Sequence, residues 1–404
     1  MNILVFSNNL FPKPTANGIC LLNILGEFER LGHNVVYIDR EQSKVSKEVL
    51  DNNKYCFYYK KNLSSVSATS LIDKIAYVLY RTRTYFSFPR IDKVWVNKYV
   101  ELASAYKKID IVDAFLCVCG PVEAVEAAYR MKVKFPDKKM IVYNLDTVSN
   151  IPLPKLDQLC QKWLMYRAFN WEKKIFAEAD VIINLKCHQY HFYKNKYSFF
   201  VKKMLFQDVP LLKNNDIVVE KTHCTRKTII YAGAFYKDLR EPSVLLNLFK
   251  GIDDKPGDSL KLEILTSPAY CNIIDKMTKH YPYIETIGYL SGSELDKKVK
   301  SADFLVSIGN KNSCMFPSKI VSYVAMGKPI IHIMQDNNDS VVPYLELYPD
   351  KLIIDNRQDV NENKKKLFDY LNKKHSLINQ EVILDLYKGS TPNYNVNEIL
   401  LAIQ

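Results

Sequence analysis

Three groups of residues have the types and spacing to do chemistry. The first is the stretch from Phe316 to Ile330, Phe-Pro-Ser-Lys-Ile-Val-Ser-Tyr-Val-Ala-Met-Gly-Lys-Pro-Ile. An apolar run, 304–308, reads as a strand before it, and a loop with Gly309, Asn310 and Asn312 follows that strand. Pro317 and Ser318 then open a helix, Gly327 closes it, and Pro329 starts the next strand. A helix whose first amides face the carboxyl end of a parallel strand is an anion site, commonly for phosphate, although the same residues also describe an ordinary strand–helix unit. The second group is acidic. Asp146 directly follows the strand 140–144, where α/β sites are built, and can activate or hold a hydroxyl there; the competing reading is an Asp that caps its own loop. Glu123, just after Gly120 and Pro121, is a second acid–base candidate, or else a carboxylate that stabilises the first turn of a helix. The third group is His188 and His191. Their spacing puts both on one helix face, but no carboxylate or cysteine set accompanies them, so no metal and no cofactor are expected.

The elements that must position these residues alternate between strand and helix in both halves, the pattern of doubly wound α/β domains. Strands are expected at 3–6, 34–38, 111–115, 140–144 and 181–184. A second series is expected at 228–232, 261–266, near 286–287, and at 304–308, 330–333 and 351–354. A chain of 404 residues is too long for one ordinary core. The polar stretch around 211–227 is the best linker candidate. The expected organisation is therefore a first domain over 1–205, a linker over 206–226, a second domain over 227–390 and a tail over 391–404.

Hydrophobic content of 48% and charged content of 25% are those of a globular protein. The N-terminus reads as a short buried strand without the basic and apolar regions of a signal peptide, and no apolar run reaches the ~20 residues of a spanning helix. The nine Cys are scattered, which fits reduced thiols in a cytosol. The net charge of +12 is uneven: residues 1–205 hold 31 Lys/Arg against 19 Asp/Glu, and the remainder holds 25 of each. A basic first half suits an anionic membrane surface, or is simply a lysine-rich solvated face. It carries no nucleic-acid recognition motif, so nucleic acid is not an expected partner.

The segment Pro317-Ser318-Lys319-Ile320 through Tyr323 to Gly327-Lys328-Pro329-Ile330 resembles the donor-binding signature of nucleotide-sugar glycosyltransferases with the two-domain B-type fold. Within these it is most similar to the bacterial group-1 (family 4 type) enzymes of surface polysaccharide synthesis. Phe11-Pro12-Lys13-Pro14 to Asn17-Gly18, followed by a helix and Leu31-Gly32-His33, resembles the N-terminal fingerprint of that family, where the loop of Gly18 lies near the donor diphosphate and acceptor. Ile229 to Phe235 with Arg240-Glu241-Pro242 resembles the strand and loop that open the donor domain. The resemblance implies donor contacts from Gly233 and from a basic residue that binds the diphosphate, Arg240 first and Lys237 second, with Lys319 as a further cation. It implies a base-docking segment at Gly288 and Tyr289. It also implies two Rossmann-like doubly wound domains facing across a cleft. Many relatives carry two Glu around the diphosphate helix, and here those positions are Cys314 and Ser322. Ser322 retains one hydrogen bond to a ribose hydroxyl, weaker than that of an ionised acceptor; Cys314 cannot replace a sugar-binding carboxylate.

The activity this implies is transfer of a sugar from a nucleoside diphosphate sugar, UDP rather than GDP, to a hydroxyl of a glycan or lipid-linked glycan. Alternatives are a catalytically degenerate transferase-like binding subunit and a sugar-nucleotide epimerase of the same fold. The segment 71–90 mixes apolar residues with Arg81, Arg83, Tyr85, Phe86, Phe88 and Arg90. It suits either the headgroup level of a membrane or a core helix leading into a loop. A cytoplasmic location, peripheral to the inner face of the membrane, accords with the first of these.

Overall fold

A computed structural model of the chain describes residues 1–8, 10, 14–41, 54–58, 75, 82, 86–150, 158–193, 195–213, 226–252, 260–290, 292–311 and 315–404. Residues 11–13 of the N-terminal fingerprint, Cys314, and most of the segment 71–90 lie outside these. The chain forms two compact units, Met1–Leu211 with Gly389–Gln404, and Leu212–Lys388. The first unit therefore ends inside the segment expected to be linker.

The first unit contains a seven-stranded parallel sheet. Its strands are β1 Asn2–Asn8, β2 Asn34–Glu41, β3 Lys54–Tyr58, β4 Ala114–Val118, β5 Lys139–Asn144, β6 Val181–Leu185 and β7 Met204–Gln207. The order across the sheet is β3-β2-β1-β4-β5-β6-β7. Strands β1, β4, β5 and β6 are near-continuous apolar runs because both of their faces are covered. The covering helices are α1 Ala16–Arg30, α2 Lys93–Ala105, α3 Val122–Lys134 and α4 Gln158–Glu178, with a single turn, α5, at Gln189–Phe192. Helix α1 starts where Thr15 Oγ1 accepts the Gly18 N–H, and α2 where Asp92 accepts the N–H groups of Val94 and Trp95. The expected strand at 111–115 begins three residues later. Ile109–Ile111 forms a 3-10 turn instead, whose neighbouring carbonyls are capped by the Lys138 ammonium.

The second unit contains a six-stranded parallel sheet. Its strands are β8 Lys227–Ala232, β9 Leu260–Leu265, β10 Ile284–Ile287, β11 Phe304–Ile308, β12 Ile330–Met334 and β13 Lys351–Asp355. Their order is β10-β9-β8-β11-β12-β13. The helices are α6 Pro242–Phe249, α7 Pro268–Met277, α8 Gly292–Ser301, α9 Lys319–Ala325, α10 Val341–Glu346, α11 Val360–Leu371 and α12 Gln380–Leu386. Helix α13, Pro392–Ile403, belongs to the first unit. It is held there by Gln207 donating to Asn395 O and by Asn393 donating to Glu27. Among the described residues no helix is long and apolar enough to cross a membrane.

Candidate functional site

Because each sheet is parallel, all loops after its strands share one rim, and the chemistry-bearing residues of each unit collect there. In the second unit β8 runs into a tight hairpin in which Tyr236 and Arg240 exchange both backbone hydrogen bonds, at 2.8 and 2.9 Å. Asp238 turns the hairpin with φ 64°. Lys237 is exposed on that turn, whereas the Arg240 guanidinium folds back to donate to Asn310 Oδ1 from Nε at 3.2 Å and Nη2 at 2.6 Å. Asn310 in turn donates to Met315 O at 3.0 Å. The loop after β11 is thus stitched to the loop after β8.

Lys319 completes the pair. As a residue it is solvent-exposed, but its Nζ turns inward and donates to Ala232 O, at the last residue of β8, at 3.0 Å. The buried Tyr323 Oη accepts the Ala232 N–H at 3.1 Å. Burial, and then the neighbouring Arg240 guanidinium, hold the Lys319 ammonium below the ordinary lysine range. Two cations therefore converge at the end of β8, and among the described residues neither has a carboxylate partner.

Beneath them lies a buried pair in which His332 Nε2 meets Asp339 Oδ2 at 3.0 Å. Gly309 is required there: a Cβ at this position would fall 1.7 Å from Asp339 Oδ2. Gln335 Nε2 donates to Leu239 O and Gly309 O, joining the same two loops.

The remaining donor-side residues are placed as follows. Gly233 N–H donates to Leu265 O and so continues the sheet. Gly288 and Tyr289 follow β10 at the sheet edge, with Tyr289 exposed. Pro317 and Ser318 precede α9, but Ser318 is helical in its own dihedrals and makes no side-chain cap. Helix α9 has only seven residues, so positive charge at this rim comes mainly from Arg240 and Lys319 rather than from a long helix dipole. Ser322 is exposed on α9.

In the first unit Asp146 lies two residues past β5. Its Oδ2 accepts the Asn17 Nδ2–H at 2.7 Å, which fixes the carboxylate against the start of α1. Gly120, with φ 106°, sits beside both: a Cβ there would lie 3.4 Å from Asn17 Nδ2 and 3.7 Å from Asp146 Oδ2. Gly18 is part of the same helix start, but its N–H already donates to Thr15 Oγ1 at 3.2 Å. Glu123 is drawn inward, 2% exposed, and accepts the Asp92 N–H at 3.2 Å; the structure brings it to the α2 entrance and not to Asp146. His191 is likewise committed elsewhere, with Nε2 at 2.9 Å from Ser149 Oγ.

Asn17, Asn310, Tyr323 and the His332–Asp339 pair were not identified by sequence reasoning as site residues. For Asn17, Asn310 and Tyr323 the partners are Asp146, Arg240 and Ala232, distant in sequence, so no local pattern announces them; His332 and Asp339 are seven residues apart but on different elements.

No family model matches the chain, and no curated protein matches it in sequence. Solved structures do match in shape over the whole of it. The apo form of the lipopolysaccharide outer core galactosyltransferase WaaB is 12% identical over 100% of both chains, with a TM-score of 0.57. Trehalose-6-phosphate synthase from E. coli, bound with UDP-2-fluoro glucose, is 10% identical over 100% of this chain and 99% of that one, at 0.63. Sucrose-phosphate synthase from Thermosynechococcus elongatus is 13% identical over 100% and 94%, at 0.58. At such identities the likeness speaks for architecture, and with the two parallel sheets it establishes that this chain has the two-domain, Rossmann-like B-type glycosyltransferase fold.

Proposed function

We propose that the protein is a glycosyltransferase that moves a sugar from a nucleoside diphosphate sugar, UDP in preference to GDP, to a hydroxyl of a glycan or lipid-linked glycan. The observation that carries this reading is the convergence of Arg240 and Lys319 at the end of β8. Two close cations without a carboxylate repel each other, and a diphosphate relieves that repulsion while accepting their hydrogen bonds. The guanidinium supplies fixed donors and the ammonium a point charge. Tyr289 and Gly288 on the same rim serve the base, and Ser322 a ribose hydroxyl. The UDP sugar bound by the trehalose-6-phosphate synthase of the same fold supports the choice of nucleotide.

In the reaction the bond between the sugar C1 and the diphosphate oxygen breaks, and C1 bonds to the acceptor oxygen. The acceptor proton passes to the leaving diphosphate or to Asp146, which Asn17 holds ready. Stabilising the departing diphosphate is then the largest catalytic contribution of the protein. The reaction needs no bound metal in this reading. It belongs to the cytoplasm, at the inner face of the membrane where the acceptor is lipid-linked.

The test is isothermal titration with UDP, GDP, CMP and their sugar conjugates, followed by product analysis with any sugar conjugate that binds. Selective UDP binding, weakened about tenfold to a hundredfold in Arg240→Ala, is expected from the loss of a charge-assisted contact. A folded protein that binds none of them is a transferase-like partner subunit, consistent with Ser322 standing where a carboxylate would bind ribose. Conversion of the donor into its epimer without transfer identifies an epimerase.

A further inference from the structure

Away from the residues just described, the first unit carries an open groove of about 490 Å³ against α4. Gln158, Gln161, Lys162, Tyr166, Phe169 and Lys196 line it, with Met165 as a further apolar wall. The chemistry of this set is specific. Two amides offer both donors and acceptors, two aromatic rings offer apolar faces, and two ammonium groups offer charge, with no carboxylate among them. Lys196 Nζ lies 5.0 Å from the centre of the Phe169 ring and 5.4 Å from that of Tyr197. From Gln158 to Asn170 the helix contains no acidic residue, and beside the groove Arg167 lies over Trp163 at 5.0 Å.

Topology fixes where the groove opens. Helix α4 connects two parallel strands, β5 and β6, so its first turns stand at the carboxyl rim of the sheet, the rim of Asp146. A buried network ties the two together. Glu172 of α4 accepts the Ser149 N–H at 3.0 Å, three residues past Asp146. It also accepts the Tyr197 hydroxyl at 2.6 Å, next to Lys196. Groove wall and the segment after Asp146 are therefore joined through one buried hydrogen-bond network.

We propose that this groove binds an anionic oligosaccharide. Hydroxyls meet the amides, sugar faces lie on Tyr166 and Phe169, and carboxylate or phosphate substituents meet Lys162 and Lys196. Its role as the outer part of the acceptor site rests on the transferase reading above; the binding itself does not. A free anion uses the lysines alone, and a lipid surface the lysines and rings without the amides.

The full chain is titrated with tetragalacturonate and with sialyllactose as acidic probes. Maltotetraose is the neutral probe, inorganic phosphate the simple ion, and phosphatidylglycerol vesicles the lipid surface. The variants are Lys162→Glu with Lys196→Glu, and separately Tyr166→Ala, each checked for an unchanged melting transition. The proposal expects an acidic sugar to bind at least tenfold tighter than maltotetraose. It expects at least a tenfold loss in the charge-reversed variant, about fivefold in Tyr166→Ala, and unchanged UDP binding in both. The proposal is overturned if neither acidic sugar binds, if phosphate binds as well as they do and Tyr166→Ala has no effect, or if the variants lose vesicle binding and no sugar affinity. UDP binding without sugar binding sinks the groove alone; sugar binding without UDP binding sinks the transferase reading alone.

Discussion

In the first unit Asp113 accepts the Asn2 N–H at 2.7 Å, and in the second Asp303 accepts the Thr228 N–H at 2.7 Å. Lys138 caps the carbonyls of Asp110 and Val112, and Lys328 those of Lys300 and Ala302. Between β4–β5 and β11–β12 these residues correspond at one constant sequence separation, and the two sheets run in the same strand order. The two units thus share a frame at the amino ends of their strands. At the carboxyl ends they part: one presents a carboxylate braced by an Asn, the other an arginine braced by an Asn, with a lysine beside it. The amino ends solve a common problem, satisfying buried carbonyls and strand starts, so the same residue types recur. At the carboxyl ends, which the proposed reading assigns to ligands, the charge is reversed.

The largest effect expected from this comparison lies in the shared frame. Replacing Lys138 or Lys328 by Met leaves two carbonyls without their donor, at about 1–3 kcal/mol each. Each variant should lose about 3 kcal/mol of stability by denaturant titration, and the two losses should agree within about 1 kcal/mol. A large loss in one unit and none in the other would break the correspondence. The divergent rim predicts the opposite behaviour. Lys319→Met should weaken UDP binding about tenfold, whereas Asp146→Asn should leave it within about twofold while suppressing transfer. Equal effects of both on UDP binding would show that the two rims do not divide the work as proposed.

A second difference is how each unit handles a buried ionisable group. Burial raises the Glu172 carboxyl above the ordinary Glu value of 4.5 despite its hydrogen bonds to Ser149 and Tyr197. A carboxyl raised on folding holds its proton more tightly in the folded state. Its contribution to stability is complete below about pH 4.5 and is lost as pH rises from there through the raised value. Glu172→Gln should therefore fold and should lack this rise on acidification. The melting temperature difference between wild type and variant, followed from pH 7 to pH 4.5, measures it, and a difference that does not change with pH would refute it. Lys328 is the counterpart in the second unit, a cation pushed down by burial, so its influence lies on the alkaline side.

Much of this architecture is legible in the sequence, for a physical reason. Central parallel strands are covered on both faces, so β1, β5, β6, β8, β11 and β12 are apolar runs that announce themselves. The edges of the first sheet do not: neither β3 nor β7 is among the expected strands, and four-residue β7 is completed by Gln207 bonding to Asn395 far along the chain. The start of β4 is displaced because apolar Ile109 and Ile111 look like strand, yet the lysine-capped turn holds them outside it. Arg240 and Lys319 are singled out in the sequence only because the surrounding residues resemble a known signature. Their braces are not, since Asn17–Asp146 and Arg240–Asn310 are pairings between remote loops. Glu123 shows the converse: a carboxylate after Gly-Pro satisfies the local pattern, but only tertiary packing turns it toward the Asp92 amide.

The smallest effect bears on the donor rim alone. Ser322 is exposed on α9, one turn beyond Lys319, and its hydroxyl is a neutral acceptor. If ribose lies where the Arg240–Lys319 pair places the diphosphate, an ionised carboxylate at 322 accepts its hydroxyls more strongly, by about 1 kcal/mol. Ser322→Glu should then tighten UDP about fivefold. The substitution also introduces a negative charge near Lys319, which favours the empty site and competes with the diphosphate. The two contributions are separable by titrating uridine, which has the ribose and no phosphate. Uridine should gain affinity in the variant by at least as much as UDP does. Weaker UDP together with unchanged uridine would mean that residue 322 senses the phosphates and not the sugar, and the nucleotide would have to lie in the reverse direction along the rim, with its base toward α9 and away from Tyr289.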